Sequence, residues 1–347
     1  MRKNNKTQEQ METVGIDLGD KVSRYCIVDA AGEVVEEGSF RNQVSSIEKH
    51  FSGERRRIAL EAGAQSAWIA RELKRLGHEV IVANPRDVKW ITASDTKNDP
   101  GDARKLALLA RADVRLLKPV EHRTAEQQVE LAVIRARDAL VRSRALLVNT
   151  ARGLAKGFGL RLPAAITQTF GARAMAALPE HEHAAIRGLL EHIDALSRKI
   201  QEYDQRVGEL ADRHPEVERL TSIAGVGRLT AVTFVLTLGR AERFARSRDT
   251  GGFLGLRPRQ RQSGAHDPQL GIAKSGDPYL RKLLVQCAHH ILGHFGKDSA
   301  LRRWGLSKSG GKGATKRAIV AVARKLAVLL HRLWVTDEWF KPFPTMA

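Results

Sequence analysis

Four carboxylates in the first 102 residues have the types and settings of a cation site. They are Asp17 in Val14-Gly-Ile-Asp-Leu-Gly19, Glu61 in Ile58-Ala-Leu-Glu-Ala-Gly63, and Asp99 with Asp102 in Lys97-Asn-Asp-Pro-Gly-Asp-Ala-Arg104. Asp17 and Glu61 each close a short apolar run, and the two aspartates, three residues apart, share one face of a helix start. Four acids brought close repel one another unless cations neutralise them. Hard oxygen ligands suit Mg²⁺ or Mn²⁺, and two such ions about 4 Å apart activate an attacking oxygen and stabilise a leaving one in phosphoryl transfer. Each acid also has a plain structural reading. Asp99 before Pro100 is an ordinary helix N-cap and Asp102 its N3 partner, Asp17 a turn residue, Glu61 a surface acid.

The elements that must position these acids are legible as alternating strands and helices. Val14–Asp17, Tyr25–Val28 and Val34–Phe40 read as three strands, the last two joined by the Ala30–Gly32 turn. A fourth strand starts at Arg57–Leu60, a helix runs from Ala67 to Leu76 and stops at Gly77, and Val80–Ala83 is a fifth strand. Asn98–Ala110 is again helical. Three strands in a meander followed by alternating helix and strand is the order of a ribonuclease-H-like α/β domain, expected over residues 1–118. If the first and fourth strands are neighbours, Asp17 and Glu61 project from one sheet edge towards the helix carrying Asp99 and Asp102.

Residues 119–214 read as a helical middle section. Val133, Leu140, Leu147 and Leu154 recur at seven-residue spacing, and a stronger seam combines Ile186, Ile193, Ile200 and Val207 with Leu189, Leu196, Tyr203 and Leu210. That pattern suits a two-stranded coiled coil between chains, or an intramolecular hairpin of the two helices.

Residues 215–347 form a mainly helical basic block. The chain has 58 Lys+Arg against 39 Asp+Glu, a net charge of +19. Between Arg219 and Trp334 the counts are 22 and 5, so this segment carries +17 of the excess. Such segregation points to a polyanion, and with no lipidation signal to nucleic acid rather than a membrane. Leu220–Ala231 has the form of a helix-hairpin-helix, in which Gly225 and Gly227 let backbone N–H groups approach a phosphate beside Arg228. Cys26 and Cys287 make no disulfide framework and imply a reducing compartment. The first 13 residues are polar, without a secretory core, and apolar runs such as Thr230–Leu238 are too short to span a bilayer. The expectation is a cytoplasmic protein. Cys287, His289, His290 and His294 lie along one stretch without a second ligand pair, a poor pattern for zinc.

The segments Gly15-Ile-Asp-Leu-Gly19, Ala59-Leu-Glu-Ala62 and Lys97-Asn-Asp-Pro-Gly-Asp-Ala103 resemble those of the DEDD, RuvC-like transposases of the insertion sequence 110 family. The resemblance continues through Ile223-Ala-Gly-Val-Gly227, Phe253-Leu-Gly-Leu-Arg-Pro258, Gln262-Ser-Gly264, Ile272-Ala-Lys-Ser-Gly-Asp277 and Leu280-Arg-Lys-Leu-Leu284, across essentially the whole chain in order. The family often has Thr and Arg where this chain has Asn98 and Pro100; neither change removes a ligand.

What the resemblance implies is specific. Asp17, Glu61, Asp99 and Asp102 would hold Mg²⁺ (or Mn²⁺). Ser263 would attack DNA to form a phosphoserine link, in a turn where Arg257, Arg259 and Arg261 can clamp phosphate oxygens. Members often carry two serines before the glycine; here the first is Gln262, leaving Ser263. Lys274, Arg281 and Lys282, in the matching segments, would join the arginines as nucleic-acid contacts. The implied partners are donor and target DNA, a structured non-coding guide (bridge) RNA, and further copies of the chain. Those copies would form dimers paired into a tetramer, in which acids of one subunit meet the serine of another. The implied location is the bacterial cytoplasm, at the nucleoid when bound. Ser275 and Tyr279 are rival nucleophiles by residue type.

Three other readings compete. A metal-dependent RuvC-like junction endonuclease needs the acids but no serine. An actin-like ATPase or sugar kinase shares Gly15-Ile-Asp-Leu-Gly19 but needs a second α/β half, where this chain is helical and basic. A non-catalytic nucleic-acid binder would use the acids as caps.

Overall fold

The computed structural model describes residues 11–85, 99–164, 168–260, 268, 270–309 and 314–343. Five strands form one sheet: β1 (Thr13–Asp17), β2 (Val22–Val28), β3 (Val34–Arg41), β4 (Arg57–Glu61) and β5 (Glu79–Ala83). Their order is β3-β2-β1-β4-β5. β1 pairs antiparallel with β2, and β2 with β3, while β1, β4 and β5 run parallel. A meander joined to parallel strands is the mixed α/β arrangement expected of a ribonuclease-H-like domain. The expected strands fall within one to three residues of the observed ones. The helix α1 (Val44–Phe51), which the sequence reading did not include, follows β3 and buries Ile47 and Phe51.

Side-chain alternation splits the sheet into two unlike faces. On one, Val14, Ile16, Ile58 and Leu60 pack with Ile47 and Phe51 of α1 and with Ile69 and Leu73 of α2 (Ser66–Arg75). On the other, small residues dominate. Ala59 packs with Leu106 and Ala110, and Cys26 and Val28 with Ala103 and Ala107, all four from α3 (Asp99–Ala112). Gly15 lies on this second face. A Cβ there would sit 2.0 Å from the Ala103 carbonyl oxygen and 2.5 Å from the Ala107 nitrogen. The helix backbone therefore rests directly on the β1 backbone, which only glycine permits.

The chain divides into two compact units, Met1–Ala125 and Glu126–Ala347. In the second, α4 (Ala125–Gly157) and α6 (Glu180–Arg213) pair antiparallel, with the short α5 (Phe170–Ala177) packed against α6. Polar rungs set the register: Glu130 to His214, Arg137 to Asp204 and Arg144 to Ser197. Within one chain, then, the hairpin is the arrangement formed. The seam of α6 is as expected, with Ile186, Ile193, Ile200 and Val207 all buried. On α4 the buried stripe is shifted by one residue, to Ile134, Val148 and Ala155, and Leu154 is 43% exposed. The seven-residue spacing is kept, so the difference is one of face: a one-residue offset turns the stripe by about 100° around the helix.

The core of the second unit surrounds α8 (Arg228–Leu238), every residue of which from Thr230 onward is buried. The apolar run Thr230–Leu238 is thus a central core helix. Around it lie α7 (Glu216–Thr221), α10 (Pro278–Leu292) and α12 (Lys316–Thr336), with α9 (Asp249–Phe253) and α11 (Ala300–Ser307) at the periphery. No described helix is long and apolar enough to cross a membrane.

Candidate active site

β1 and β4 are in parallel register through Ile16↔Leu60, so Asp17 and Glu61 come level one residue further on. Gly15 and Asp17 share a face, as do Ala59 and Glu61, and α3 lies across that face. Its first turn carries Asp102, where the helix N-terminus favours a carboxylate. The Glu61 carboxyl is pushed above its ordinary range, first by burial, then by the negative charges of Asp17 and Asp102. Asp102 also faces Lys105 at 3.5 Å. The Asp99 side chain is outside the described part. Among the described residues no three His, Cys, Asp or Glu side chains stand close enough to enclose an ion. The donor chemistry nevertheless suits a hard divalent cation, which would relieve the repulsion that lifts Glu61.

Two residues that the sequence reading passed over brace the loop after Asp17. The Gly19 carbonyl accepts from Asn42 Nδ2 at 2.9 Å and from Gln65 Nε2 at 3.2 Å. Ser23 Oγ in turn donates to Asn42 Oδ1 at 2.6 Å. Nothing in local sequence links positions 19, 42 and 65; only the folded unit brings them together.

In the second unit Arg261 and Ser263 lie outside the described residues, as does Gln262. The chain on either side of them is tied together. Pro258 bridges Ile272, Arg259 N donates to Gly271 O at 3.0 Å, and Ala273 N donates to Arg257 O at 2.9 Å. Gly255 (φ +68°) and Gly276 (φ +80°) make the crossing possible, since a Cβ on Gly255 would lie 2.2 Å from the Ser275 carbonyl oxygen. Arg281 Nη1 donates to the carbonyls of Leu254 at 3.0 Å and Ser275 at 2.9 Å, fixing the same crossing. Arg257, Arg259 and Lys274 are exposed, Lys274 with a left-handed backbone at φ +55°.

The remaining expected contacts are distributed over this unit. Gly225 (φ +96°) turns the chain between α7 and α8 against His290 of α10, and Gly227 caps α8. Gly225, Gly227 and His290 line a cavity of about 500 Å³. Arg228 is exposed and bonds Asp212 and, at 3.0 Å, the Gly208 carbonyl. Lys282 reaches Asp138 at 3.4 Å. Tyr279 is half-buried beside Arg137, and burial is the first cause raising its phenol above the ordinary range, so it is poorly placed as a nucleophile.

Comparison with known proteins gives these two regions a common context. A family profile for DEDD transposases of the IS110 type matches residues 14–159, and one described as "Transposase IS116/IS110/IS902 family" matches residues 217–304. The chain is 28% identical to the transposase for insertion sequence element IS1111A of Coxiella burnetii, over 98% of this chain and 94% of that one. It is 34% identical to the transposase for insertion sequence element IS1328 of Yersinia enterocolitica, over 67% and 69%. It is 30% identical to a probable family 20 transposase of Pseudomonas aeruginosa, over 82% and 86%. With carboxylates converging on the sheet edge and both family profiles matched in order, the chain belongs to the IS110 family of insertion-sequence transposases, enzymes that act on DNA and depend on a divalent metal ion.

Proposed function

We propose that this transposase cuts and rejoins DNA through a phosphoserine at Ser263, assisted by Mg²⁺ (or Mn²⁺) held by Asp17, Glu61, Asp99 and Asp102, and guided by a structured non-coding RNA. The observation that supports the metal part is geometric: Asp17 and Glu61 come level at the ends of the paired strands β1 and β4, on the face crossed by α3, whose first turn carries Asp102. When bound, the cation supplies charge neutralisation at the phosphate and stabilises the departing oxygen. The Ser263 oxygen forms a bond to phosphorus, the bond from phosphorus to one sugar oxygen breaks, and that oxygen takes up the proton the serine gives away. Rejoining runs the same exchange in reverse with a new sugar hydroxyl. Arg257, Arg259 and Arg261 neutralise the non-bridging oxygens. The serine belongs to the second unit and the acids to the first, so the reading requires the two to meet within a chain or between chains of a dimer or tetramer.

Ser263→Ala tests this most directly, because it removes the hydroxyl with little change in volume. The variant should bind DNA and RNA as wild type does, yet form no protein–DNA adduct in a denaturing gel, whereas Ser275→Ala should form one. An adduct from Ser263→Ala overturns the serine assignment. Cleavage by wild type with no adduct at all replaces it with the junction-endonuclease reading.

A further inference from the structure

A cavity of about 740 Å³ in the second unit is lined by residues other than those of the α7–α8 turn. One wall is the Pro258–Ile272 bridge, another is Trp304 of α11, and the third is a single face of α12. That face reads Lys316, Arg317, Val320, Ala321, Arg324, Lys325, Val328, each step one or three residues on, as a helical stripe demands. Its apolar members meet Leu256 and Ile272 to make an apolar floor. Its cations form two pairs, eight residues and so about 12 Å apart along the helix. All four cations are exposed, and no carboxylate lines the cavity among the described residues. Lys325 Nζ is held 4.2 Å from the centre of the Trp304 ring, which fixes one cation at the rim. The IS116/IS110/IS902 profile ends at Trp304, so α12 lies beyond the matched segment.

An occupant that suits this lining is apolar where it meets the floor and anionic on both sides. Within a stacked duplex a base cannot enter a concave site; a base swung out of the stack can, with its flanking phosphates left outside. We propose that this cavity seats one unpaired nucleobase of a bound strand, with the neighbouring phosphates on Lys316/Arg317 and Arg324/Lys325. The inference rests on DNA being the substrate and not on the role of Ser263.

The test uses the full chain and three fluorescent oligonucleotides of one sequence: a duplex, a single DNA strand and a single RNA strand, with central 2-aminopurine in the single strands. Ala321→Phe fills the cavity without altering charge. It should weaken single-strand binding by about tenfold, abolish the 2-aminopurine response, and leave duplex affinity within about twofold. The paired Arg324→Gln/Lys325→Gln variant changes exposed side chains only, and it decides the matter if Ala321→Phe fails to fold. It should weaken single strands more than duplex. Equal affinities of wild type and variant for the single strands overturn the seat, as does displacement of the strand's fluorescence by a fatty acid in place of nucleotide. Loss in the DNA strand alone, or the RNA strand alone, identifies which one is seated. If wild type binds none of the probes, it is the DNA-substrate reading that fails, a different result from intact duplex binding with no effect of filling the cavity.

Discussion

The sheet edge of the first unit and the Pro258–Ile272 crossing of the second each present chemistry, but by opposite means. Asp17 and Glu61 are placed by strand register: every backbone hydrogen bond of the β1–β4 ladder helps to set their separation. The crossing has one isolated bridge, two left-handed glycines and an arginine bonded to carbonyls. The acids also repel one another, while the basic turn stands among cations that repel one another in turn. On the proposed reading, a cation relieves the unfavourable charge of one region and a polyanion that of the other. Each gains stability when its ligand binds, so binding and stability should be linked with the same sign in both units, through a cation in one and a polyanion in the other.

The largest expected effect separates chemistry from binding. Asp17→Asn and Asp102→Asn should each reduce strand cleavage in Mg²⁺ below detection, while DNA affinity stays at or above that of wild type, since a negative charge has been removed. Gel-based cleavage and anisotropy on the same preparations check this; undiminished cleavage by both variants breaks the assignment of the sheet edge.

Next comes the contact beneath that edge. Gly15→Ala places a methyl against helix backbone and should cost roughly 1–3 kcal/mol or more, seen as a fall in Tm, with a parallel fall in cleavage. Gly101→Ala, in the same helix but with open space around it, should be neutral or stabilising by about 0.5–1 kcal/mol. Equal melting temperatures for the two variants would contradict the close packing of α3 on β1.

A smaller effect follows from Glu61. Its folded carboxyl holds a proton more tightly than the ordinary value of 4.5, so without divalent cation stability falls as pH rises from about 4.5 through the raised value. Above that range the penalty is constant. Glu61→Gln should therefore melt higher than wild type at neutral pH in a chelator, and the gap should close when Mg²⁺ is added. Thermal melts between pH 4 and 8 measure it; a lower Tm for the variant in the chelator is the wrong sign.

The smallest effect concerns the basic turn. On duplex DNA each arginine of Arg257 and Arg259 that meets a phosphate should account for roughly 0.9 of the slope of log affinity against log salt. Replacing both by Gln should flatten that slope accordingly, whereas Glu61→Gln should leave it unchanged.

The two regions were unequally legible in the sequence. β1 and β4 announce themselves as apolar runs ending in an acid, because burial on both faces leaves no room for polar residues before the edge. The long helices announce themselves by spacing, although spacing alone did not say which face of α4 is buried, and its stripe starts from Ile134 rather than Val133. What could not be read was anything requiring distant partners: Asn42 and Gln65 meeting Gly19, or Gly15 acting as a contact surface rather than a turn. Helix α1 is only eight residues long, too short for its apolar spacing to stand out. Ser263 has no local signature beyond nearby arginines and a following glycine, so its reading came from family likeness and not from its own surroundings.

The contact at Gly15 has one more consequence. Most enzymes can adjust the gap between a helix and a sheet over generations by trading one side chain for another of different size. Here two main chains touch, and no spacer exists to trade. The gap is consequently a constant of the scaffold, and if the acids hold a cation as proposed, variation in that grip would come from which acid is carried at each position and how its side chain is turned. On the proposed metal site, directed alteration of metal preference should therefore target positions 17, 61, 99 and 102 and leave the β1–α3 seam alone.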